Sequence, residues 1–318
     1  MAKNKQAIFL MGPTASGKTA LALSLAKIFP IEIISVDSAL IYRDLNIGSA
    51  KPTLTELATV PHHLIDILSP LQNYSVADFL TDCNCAIDEI YSRGKLPVLV
   101  GGTMMYFNAL MNGISKLPEA DYELRAKLEL EFAEFGNQIM HERLMVLDPA
   151  SAAKIEVNDT QRIERALEVC YLTGKPMSQV QTESKLAGIV DCDYLPLAIV
   201  PSNRALLHQR INLRFDQMLA DGFIEEVRQL QLDYPELTAR HNSMRMVGYS
   251  QAWNFLVDNL TELEMVEQGK AATRQLAKRQ ITWLRSMECV AIDDPQLDTS
   301  KLLAEATKLI EQWMHIKS

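Results

Sequence analysis

One segment of this chain has the residue types and spacing needed to hold a phosphorylated compound. Gly12-Pro13-Thr14-Ala15-Ser16-Gly17-Lys18-Thr19 matches the pattern G-x-x-x-x-G-K-[ST] in full. In such a loop the glycines let backbone N–H groups point at an anion, the lysine adds a mobile cation, and the threonine hydroxyl can bind Mg²⁺. An apolar run precedes it at 7–11 and an amphipathic stretch follows. We therefore predict a phosphate-binding loop between a strand and a helix, and call residues 12–19 the anion loop.

Asp37 and Ser38 directly follow the apolar run Ile31–Val36, which reads as the next strand along the chain. A strand that follows the first helix of such a fold ends near the phosphate site, so Asp37 should stand close to Lys18. Two roles are open for this carboxylate. It can be a structural partner of Mg²⁺ or of the strand end, or it can be a general base beside an electrophile.

Gly101-Gly102-Thr103 follows another apolar run, at 96–100. Enzymes that hydrolyse nucleotides with a phosphate loop usually end this type of strand with an aspartate for magnesium, and here glycines and a threonine stand instead. Glycines permit close approach of the backbone, and Thr103 can donate to a leaving-group oxygen or hold a substrate. The alternative is an ordinary turn after a strand.

Two stretches concentrate positive charge. Arg210 and Arg214 are four residues apart, with Arg204 upstream, so they share a helix face after the strand predicted at 195–200. They can neutralise charge that develops on a leaving diphosphate, or they can form a solvated basic face.

The second basic stretch lies between Glu267 and Glu288 and contains no acidic residue. Helical spacing puts most of its cations on one face and predicts that another face packs against the protein. Such a stripe in an acidic protein favours contact with a polyanion such as nucleic acid, although most basic helices are merely solvated. The cations are Lys270, Arg274, Lys278, Arg279 and Arg285, and the predicted packing residues are Ala272, Leu276, Trp283 and Met287.

Short apolar runs that alternate with helical stretches predict an α/β fold with a parallel sheet, whose ligands collect at the carboxyl ends of the strands. The strand signal vanishes between about Leu117 and Asp193, where the sequence is helical and charged, so we predict an inserted helical subdomain. Amphipathic helices then continue to Ile316.

Composition is that of a globular protein of 318 residues, with 48% hydrophobic and 22% charged residues and a net charge of −9. Neither a membrane-spanning run nor a signal peptide is evident, which predicts a cytoplasmic protein. The five cysteines form no C-x-x-C pair, so neither a disulfide framework nor a zinc site is expected. The net charge argues against nonspecific coating of nucleic acid.

Taken in order, the motifs resemble the tRNA dimethylallyltransferase family, also called tRNA isopentenyltransferases, of bacterial type. Besides the anion loop, the blocks that carry the resemblance are SVDSALIYR at 35–43, IGSAKP at 47–52, PHHLID at 61–66, YSVADF at 74–79, VGGTMMY at 100–106, NDTQRIERALEV at 158–169, TGKP at 173–176, VGY at 247–249 and ATRQLAKRQ at 272–280. The resemblance runs from about Ile8 to Arg285.

The resemblance implies a P-loop nucleoside-kinase-like core with an inserted helical domain. On that basis we expect a catalytic core with C-terminal tRNA-binding helices at 1–121 and 191–318, and a helical insertion that contacts tRNA at 122–190. The implied reaction moves a dimethylallyl group from dimethylallyl diphosphate to N6 of the adenosine 3′ to the tRNA anticodon, position 37, with Mg²⁺ as cofactor. The anion loop would then hold the prenyl donor rather than ATP, in a protein that is a monomer without membrane contact.

The resemblance also assigns roles to residues. Asp37 is the expected base, Thr103 and Arg214 act with it in catalysis, Thr19 binds the metal, and the diphosphate is bound by Gly12, Pro13, Thr14, Ala15, Ser16, Gly17, Lys18 and Thr19. Contact with tRNA is expected for Asp37, Ser38, Ala39, Leu40, Thr103, Arg125, Gln161, Arg162, Ile163, Glu164, Arg165, Arg245, Met246, Val247, Gly248, Tyr249, Ser250, Lys278, Arg279, Gln280, Ile281, Thr282, Trp283, Leu284 and Arg285.

Two other functions are compatible with a phosphate loop. A kinase for a nucleoside or small molecule would bind ATP there, but it explains neither the Gly101-Gly102-Thr103 segment nor the late basic helix. A noncatalytic GTPase-like switch would need a guanine-reading N-K-x-D motif, which the sequence lacks.

Overall fold

The computed structural model describes residues 5–183 and 185–316, which form strands and helices of an α/β protein. The strands are β1 (Lys5–Met11), β2 (Ile31–Val36), β3 (His62–His63), β4 (Leu96–Gly101), β5 (Ile114–Ser115), β6 (Lys185–Leu186), β7 (Cys192–Ile199) and β8 (Val290–Ile292). The helices are α1 (Lys18–Leu25), α2 (Leu54–Thr59), α3 (Val76–Ser92), α4 (Met104–Asn112), α5 (Tyr122–Leu147), α6 (Pro149–Ala152), α7 (Thr160–Thr173), α8 (Met177–Glu183), α9 (Arg204–Ala220), α10 (Phe223–Asp233), α11 (Tyr249–Leu256), α12 (Glu262–Ser286) and α13 (Thr299–Ile316).

In the described part of the chain, six strands form one parallel sheet in the order β3-β2-β4-β1-β7-β8. β1 lies inside the sheet, where Ile8 pairs with Val98 on one side and with Leu195 on the other. Residues 7–11 have no exposed surface, because a parallel strand covered on both faces is apolar throughout. The predicted α/β class with a parallel sheet is confirmed. The carboxyl ends of β1, β2, β4 and β7 meet at one edge.

Alternate side chains of β1 enter different cores. Ile8 and Leu10 belong to the cluster that contains Leu21 of α1. On the other face the ring of Phe9 lies 5.4 Å from that of Phe107 in α4 and stacks on Tyr194 at 4.6 Å. Burying a large apolar side chain stabilises a fold by roughly 1.5–3 kcal/mol, so these two cores hold the sheet edge in place.

The last segment of the chain, to which sequence reasoning gave no role, completes this core. β8 pairs with β7 through Leu197 and Val290. On α13, Leu302, Ala306 and Ile310 follow at intervals of four residues and are buried in the same cluster as Leu10. The C-terminal helix therefore covers one face of the sheet.

The prediction missed the short strands. β3 and β8 have two and three residues, too few for a period-two pattern to stand out. The stretch predicted to lack strands contains β6. This strand forms a two-stranded antiparallel ribbon with β5, in which Ser115 pairs with Lys185. Such short strands form because another segment of the same chain lies beside them, and local sequence propensity does not indicate them.

The chain divides into two compact units. One comprises residues 5–111 and 189–316, and the other comprises 112–183 and 185–188. The second unit begins earlier than the boundary expected at 122, because β5 pairs with β6 and so belongs to the insertion. Residues 1–4, 184, 317 and 318 of the expected ranges lie outside the described residues.

The insertion unit has a core of its own, built by helices α5 to α8. Leu128 and Leu144 of α5 pack with Ile163 and Leu167 of α7. α5 is interrupted at Gly136, whose φ of 76° and ψ of 167° are not helical and are readily adopted only by glycine. The helices that the sequence predicts for this segment thus pack around a hydrophobic core of their own.

The cysteine thiols are free, with Cys83 and Cys170 buried and Cys85 exposed. Burial raises the pKa of the Cys83 thiol and raises the pKa of Cys192 to about 12, so both remain protonated at neutral pH and are poor nucleophiles. Among the described helices, none is both long and apolar enough to cross a membrane.

Candidate functional site

A cleft of about 940 Å³ opens at the carboxyl edge of the sheet in the first unit. It is lined by Thr14, Ala15 and residues 17–19 of the anion loop, by Asp37 after β2, by Thr103 after β4, and by one face each of α9 and α12. The remaining residues of the loop, Gly12, Pro13 and Ser16, are buried and do not line it. Parallel strands deliver their following residues to the same edge, which explains why segments far apart in sequence meet here. The structure thus brings the predicted phosphate and strand-end residues together.

The anion loop adopts a tight conformation before α1. Gly17 caps this helix with φ 95°, a left-handed value, and Ala15 has φ 61°. Because the first N–H groups of α1 have no partner within the helix, they are available to an anion at the cleft, and the helix dipole favours negative charge there. Lys18 Nζ donates to the Pro13 carbonyl at 2.7 Å, which folds its side chain back over the loop. The predicted loop geometry is therefore present.

The charge of Lys18 is poorly solvated in this cleft. Desolvation is the main cause that lowers the pKa of Lys18 to about 7; the carboxylate of Asp37 opposes this shift, and the nearby cation of Arg214 adds to it. A bound anion would favour the charged form of the lysine. The loop therefore gains positive charge as it gains its ligand.

The pKa of Asp37 is shifted in the opposite direction to that of Lys18, and burial is again the main cause. Burial raises the pKa of its carboxyl above the ordinary value, although the backbone N–H of Ala39 and the charge of Lys18 counteract this. The Ala39 N–H donates to Asp37 Oδ1 at 2.9 Å and so fixes the carboxylate at the strand end. A carboxylate with a raised pKa is a stronger base than a solvated one.

Close packing of two strand ends places Thr103 beside this carboxylate. A Cβ atom on Gly101 would lie 1.9 Å from the carbonyl oxygen of Val36, so only glycine lets β4 approach β2 here. The Ser38 N–H then donates to Thr103 Oγ1 at 3.1 Å. Since that oxygen accepts from Ser38, the hydroxyl hydrogen can be donated into the cleft. The turn after β4 therefore positions a donor.

One face of α9 borders the cleft, as the spacing of its arginines predicts. Arg210, Arg214 and Met218 line it, at successive intervals of four residues. Arg210 also donates to the Leu297 carbonyl at 3.3 Å, whereas Arg204 lies exposed at the first residue of the helix. Sequence reasoning missed Met218, although it continues the same face.

A loop at residues 46–52 forms another wall, and a carboxylate that the sequence did not single out holds it. Glu226 Oε2 accepts from the backbone N–H groups of Asn46 and Ile47 at 2.8 and 2.6 Å, and Oε1 accepts from Gly48 at 3.1 Å. The hydroxyl of Tyr249 also donates to Oε1, at 2.7 Å. Sequence alone offers no signal for Glu226, since its partners in the loop lie 178 to 180 residues away.

The helix with the basic stripe packs differently from the prediction. Its buried side chains include Ala277, Gln280, Ile281 and Leu284 rather than the predicted set, whose Trp283 is exposed. The reason is that α12 packs against α9 with one face and borders the cleft with another. The cleft-lining residues of α12 are Thr273, Leu276, Arg279, Gln280 and Trp283.

The cations of the stripe fall into two classes. Lys270 Nζ lies 2.6 Å from Asp216 Oδ1, and Arg274 donates to Asn212 Oδ1 at 2.8 Å, so both bind α9. By contrast, Lys278, Arg279 and Arg285 are exposed. Only the second half of the predicted stripe is therefore available to a ligand.

The other residues predicted to contact tRNA are also divided by the structure. Those that line the cleft are Asp37, Ser38, Ala39, Leu40, Thr103, Arg245, Met246, Val247, Gly248, Arg279, Gln280 and Trp283. The side chains of Ile163, Tyr249, Ile281 and Leu284 are buried within the protein and offer little surface to a ligand, and their contact with tRNA stays a prediction. Their helical spacing near exposed residues did not distinguish the packing face from the solvent face.

In the insertion unit, two of the predicted arginines are engaged with a buried carboxylate. Arg125 donates to both oxygens of Glu168, at 2.8 and 3.0 Å, and Arg165 forms an ion pair with the same group. Burial alone would raise the pKa of Glu168, but the arginine hydrogen bonds outweigh it and lower the pKa. Gln161 and Arg162 are exposed on α7. Arg125 and Arg165 therefore stabilise the helix pair.

The cleft contains oxygen atoms that could bind a divalent cation. Thr19, at the second residue of α1, and the carboxylate of Asp37 both line it, and hydroxyl and carboxylate oxygens suit Mg²⁺. Among residues 5–183 and 185–316, no group of three or more His, Cys, Asp or Glu side chains could hold a metal by itself. Mg²⁺ commonly binds through one or two protein oxygens together with substrate phosphates and water. The residues present fit that mode.

Comparison with known proteins finds relatives that match most of the chain. The sequence profile of a family described as IPP transferase matches residues 40–287. Proteins named tRNA dimethylallyltransferase are 55% identical in Chromobacterium violaceum, over 96% of this chain and 94% of theirs, and 52% identical in Legionella pneumophila, over 92% and 93%.

Solved structures show the same fold. The tRNA isopentenylpyrophosphate transferase of Bacillus halodurans is 36% identical, with a TM-score of 0.71 over 98% of each chain. A eukaryotic dimethylallyltransferase whose structures describe its action on tRNA is 29% identical, with a TM-score of 0.75 over 96% of this chain and 77% of that one.

The depressed pKa of Lys18 predicts that anion binding takes up a proton. At about pH 8 the free lysine is mostly neutral, and a bound anion would return its pKa toward the ordinary value, so uptake should approach one proton. Calorimetric titration with sulfate, which does not titrate near this pH, in buffers of different ionisation enthalpy measures the uptake. Lys18→Met is the control and should show none. Equal buffer dependence in both proteins would contradict the assignment.

Proposed function

The chain belongs to the tRNA dimethylallyltransferase family, enzymes that prenylate tRNA, and we propose which of its residues perform that transfer. The donor is dimethylallyl diphosphate, bound with its diphosphate in the anion loop. The acceptor is N6 of the adenosine 3′ to the tRNA anticodon, position 37. The observation that carries this proposal is that the anion loop and the buried carboxylate of Asp37 line one cleft.

On the donor side, the cations of the cleft stabilise the leaving diphosphate. The amides at the start of α1 and the ammonium of Lys18 face the region where the diphosphate would sit, and Arg214 lines the same cleft. Negative charge grows on the diphosphate as its bond to carbon breaks, so donors held in place before the reaction lower the barrier. Mg²⁺, held by Thr19 and the diphosphate oxygens, would supply further charge neutralisation.

On the acceptor side, Asp37 removes a proton. The exocyclic amine of adenine is a weak nucleophile because its lone pair is delocalised into the ring. As the N6 lone pair forms a bond to the allylic carbon, the carbon–oxygen bond breaks and its electron pair leaves with the diphosphate. The N6 proton passes to the Asp37 carboxylate, whose pKa is raised by burial. Thr103, fixed by Ser38 at 3.1 Å, orients the reacting groups.

Access to N6 requires the target adenine to leave the stacked anticodon loop, which costs a few kcal/mol that contacts in the pocket must offset. Ser38, Ala39 and Leu40 line the cleft next to Asp37 and would receive the base. Outside the cleft, the exposed cations Lys278 and Arg285 of α12 are suited to phosphates. Gln161 and Arg162 offer exposed polar groups on the insertion unit.

Nothing in the site favours a kinase. The chain continues from the end of β4 as Gly101-Gly102-Thr103, without the aspartate that usually stands there in enzymes that hydrolyse nucleotides, and a Cβ atom on Gly101 would lie 1.9 Å from the carbonyl oxygen of Val36. We also propose that the protein acts on tRNA as a monomer in the cytoplasm.

A labelling experiment tests the proposed function. Purified protein, Mg²⁺ and radiolabelled dimethylallyl diphosphate are incubated with unmodified tRNA that has adenosines 3′ to its anticodon, and the nucleosides are then analysed. The expected product is N6-dimethylallyladenosine. Absence of label together with phosphate transfer from ATP would instead assign the loop to a kinase.

Replacement of the proposed base tests its role. Asp37→Asn keeps the shape of the side chain but cannot accept the N6 proton, so turnover should fall by about 10²–10⁴-fold. In the wild type, kcat/KM should decrease as the pH falls through the raised pKa of Asp37, because protonation removes the base, and this limb should vanish in the variant. Binding of tRNA, measured by filter retention, should be retained. Near-normal turnover would rule out the assignment.

The exposed cations of α12 should contribute to tRNA affinity through phosphates. The double variant Lys278→Ala/Arg285→Ala should bind tRNA more weakly and reduce the slope of log K against log salt by roughly 1.5, for two lost phosphate contacts. Lys270→Ala is the matched control, since Lys270 is paired with Asp216 at 2.6 Å and should leave the slope unchanged. If the slope changes equally in both proteins, the exposed cations have no special role.

A further inference from the structure

A buried glutamine on α12 links the parts of the donor site. Gln280 is 7% exposed and lies in the packed face of the helix beside Ile281. An amide in such a position costs free energy unless both of its polar atoms are hydrogen-bonded. Both polar atoms of Gln280 are hydrogen-bonded. Their partners lie in the segments that follow β1 and β4, and not on α12.

The partners of Gln280 belong to the site itself. Its Oε1 accepts from the backbone N–H of Thr14 in the anion loop at 2.8 Å. Its Nε2 donates to the carbonyl oxygen of Gly102, next to Thr103, at 2.8 Å. One side chain therefore fastens the loop after β1 to the turn after β4, across 266 and 178 residues of sequence.

The same contact limits the space for a side chain at position 102. A Cβ atom there would lie 2.4 Å from Gln280 Nε2, whereas the next atoms it would meet, Gln280 Cδ and the Gly12 carbonyl oxygen, are at an ordinary 3.4 Å. Gly102 does not have a left-handed φ. Of the three nearest atoms, the glutamine amide nitrogen alone would clash with a side chain at this position, so a larger residue there would have to displace the amide.

We propose that Gln280 is a positioning residue, which holds the anion loop and the Gly102–Thr103 turn in the arrangement that binds the diphosphate of the donor. This inference rests on the proposed function and deepens it. It also means that α12, whose exposed cations are proposed to bind tRNA, supplies the contact that sets the geometry of the donor site. Gln280 acts through Thr14 and Gly102 and is not expected to touch the substrate.

A double-mutant cycle between positions 102 and 280 tests the proposal. Gly102→Ala pushes the glutamine amide away, and Gln280→Ala removes it, so each should weaken binding of Mg²⁺–inorganic diphosphate by about 10-fold, as expected for loss of buried hydrogen bonds. In the double variant the added methyl has room. Its diphosphate affinity should therefore equal that of Gln280→Ala within about twofold.

Kinetics separate positioning from general loss of structure. In the single variants the KM for dimethylallyl diphosphate should rise about 10-fold while the KM for tRNA stays within about twofold. Gln275→Ala, an exposed glutamine of the same helix, is the matched control and should leave both unchanged. Gln280→Glu keeps an acceptor for Thr14 but sets a carboxylate oxygen against the Gly102 carbonyl and adds negative charge near the diphosphate, so it should weaken donor binding at least as much as Gln280→Ala.

The outcomes are distinguishable. Losses in diphosphate affinity that multiply in the double variant, or donor binding that is unchanged in all variants, would overturn the role of Gln280. If the wild-type protein binds diphosphate but transfers no prenyl group, the proposed function fails, while the binding cycle still tests the glutamine. Should Gln280→Ala not fold, Gly102→Ala and Gln280→Glu test the same contact, and normal donor affinity in both would overturn it.

Discussion

The close approach of two strand ends is the constraint on which the candidate site depends. At Gly101 the backbone of β4 comes so near to Val36 of β2 that a single Cβ atom would collide with the carbonyl oxygen. This contact sets the spacing between the turn that carries Thr103 and the turn that carries Asp37, and the Thr103 N–H donates to the Val36 carbonyl at 3.2 Å. Without it the hydroxyl and the carboxylate would not share one cleft wall.

Desolvation then gives these groups their chemistry. The cleft lowers the pKa of Lys18 and raises that of Asp37, so each charge is less stable than in water and gains more from a partner of opposite charge. A bound anion would stabilise the charged lysine, and protonation would neutralise the carboxylate. The cost of holding such groups is offset elsewhere, by the apolar core around β1 and by α13, which lies against that core.

Polar side chains near the cleft and in the insertion hold separate segments of the chain together through hydrogen bonds. Glu226 holds the loop at 46–48 through backbone N–H groups, Glu168 joins Arg125 and Arg165, and Gln280 joins Thr14 to Gly102. Each of these groups makes two or more hydrogen bonds, and for Glu168 and Gln280, which are buried, these bonds make the burial tolerable. Much of the polar sequence that resembles a binding surface is therefore used to fix the walls of the site.

The sequence by itself determined the anion loop, the parallel sheet and the strand-end position of Asp37 and Thr103, because short apolar runs and a fixed glycine spacing are local signals. It also identified the family through blocks spread along the chain. Only the tertiary structure decided which cations of α12 are exposed, that Tyr249, Ile281 and Leu284 are buried, and that Glu226 and Gln280 hold the cleft. These outcomes depend on partners 20 to more than 200 residues away, and helical spacing shows that residues share a face without showing what that face meets.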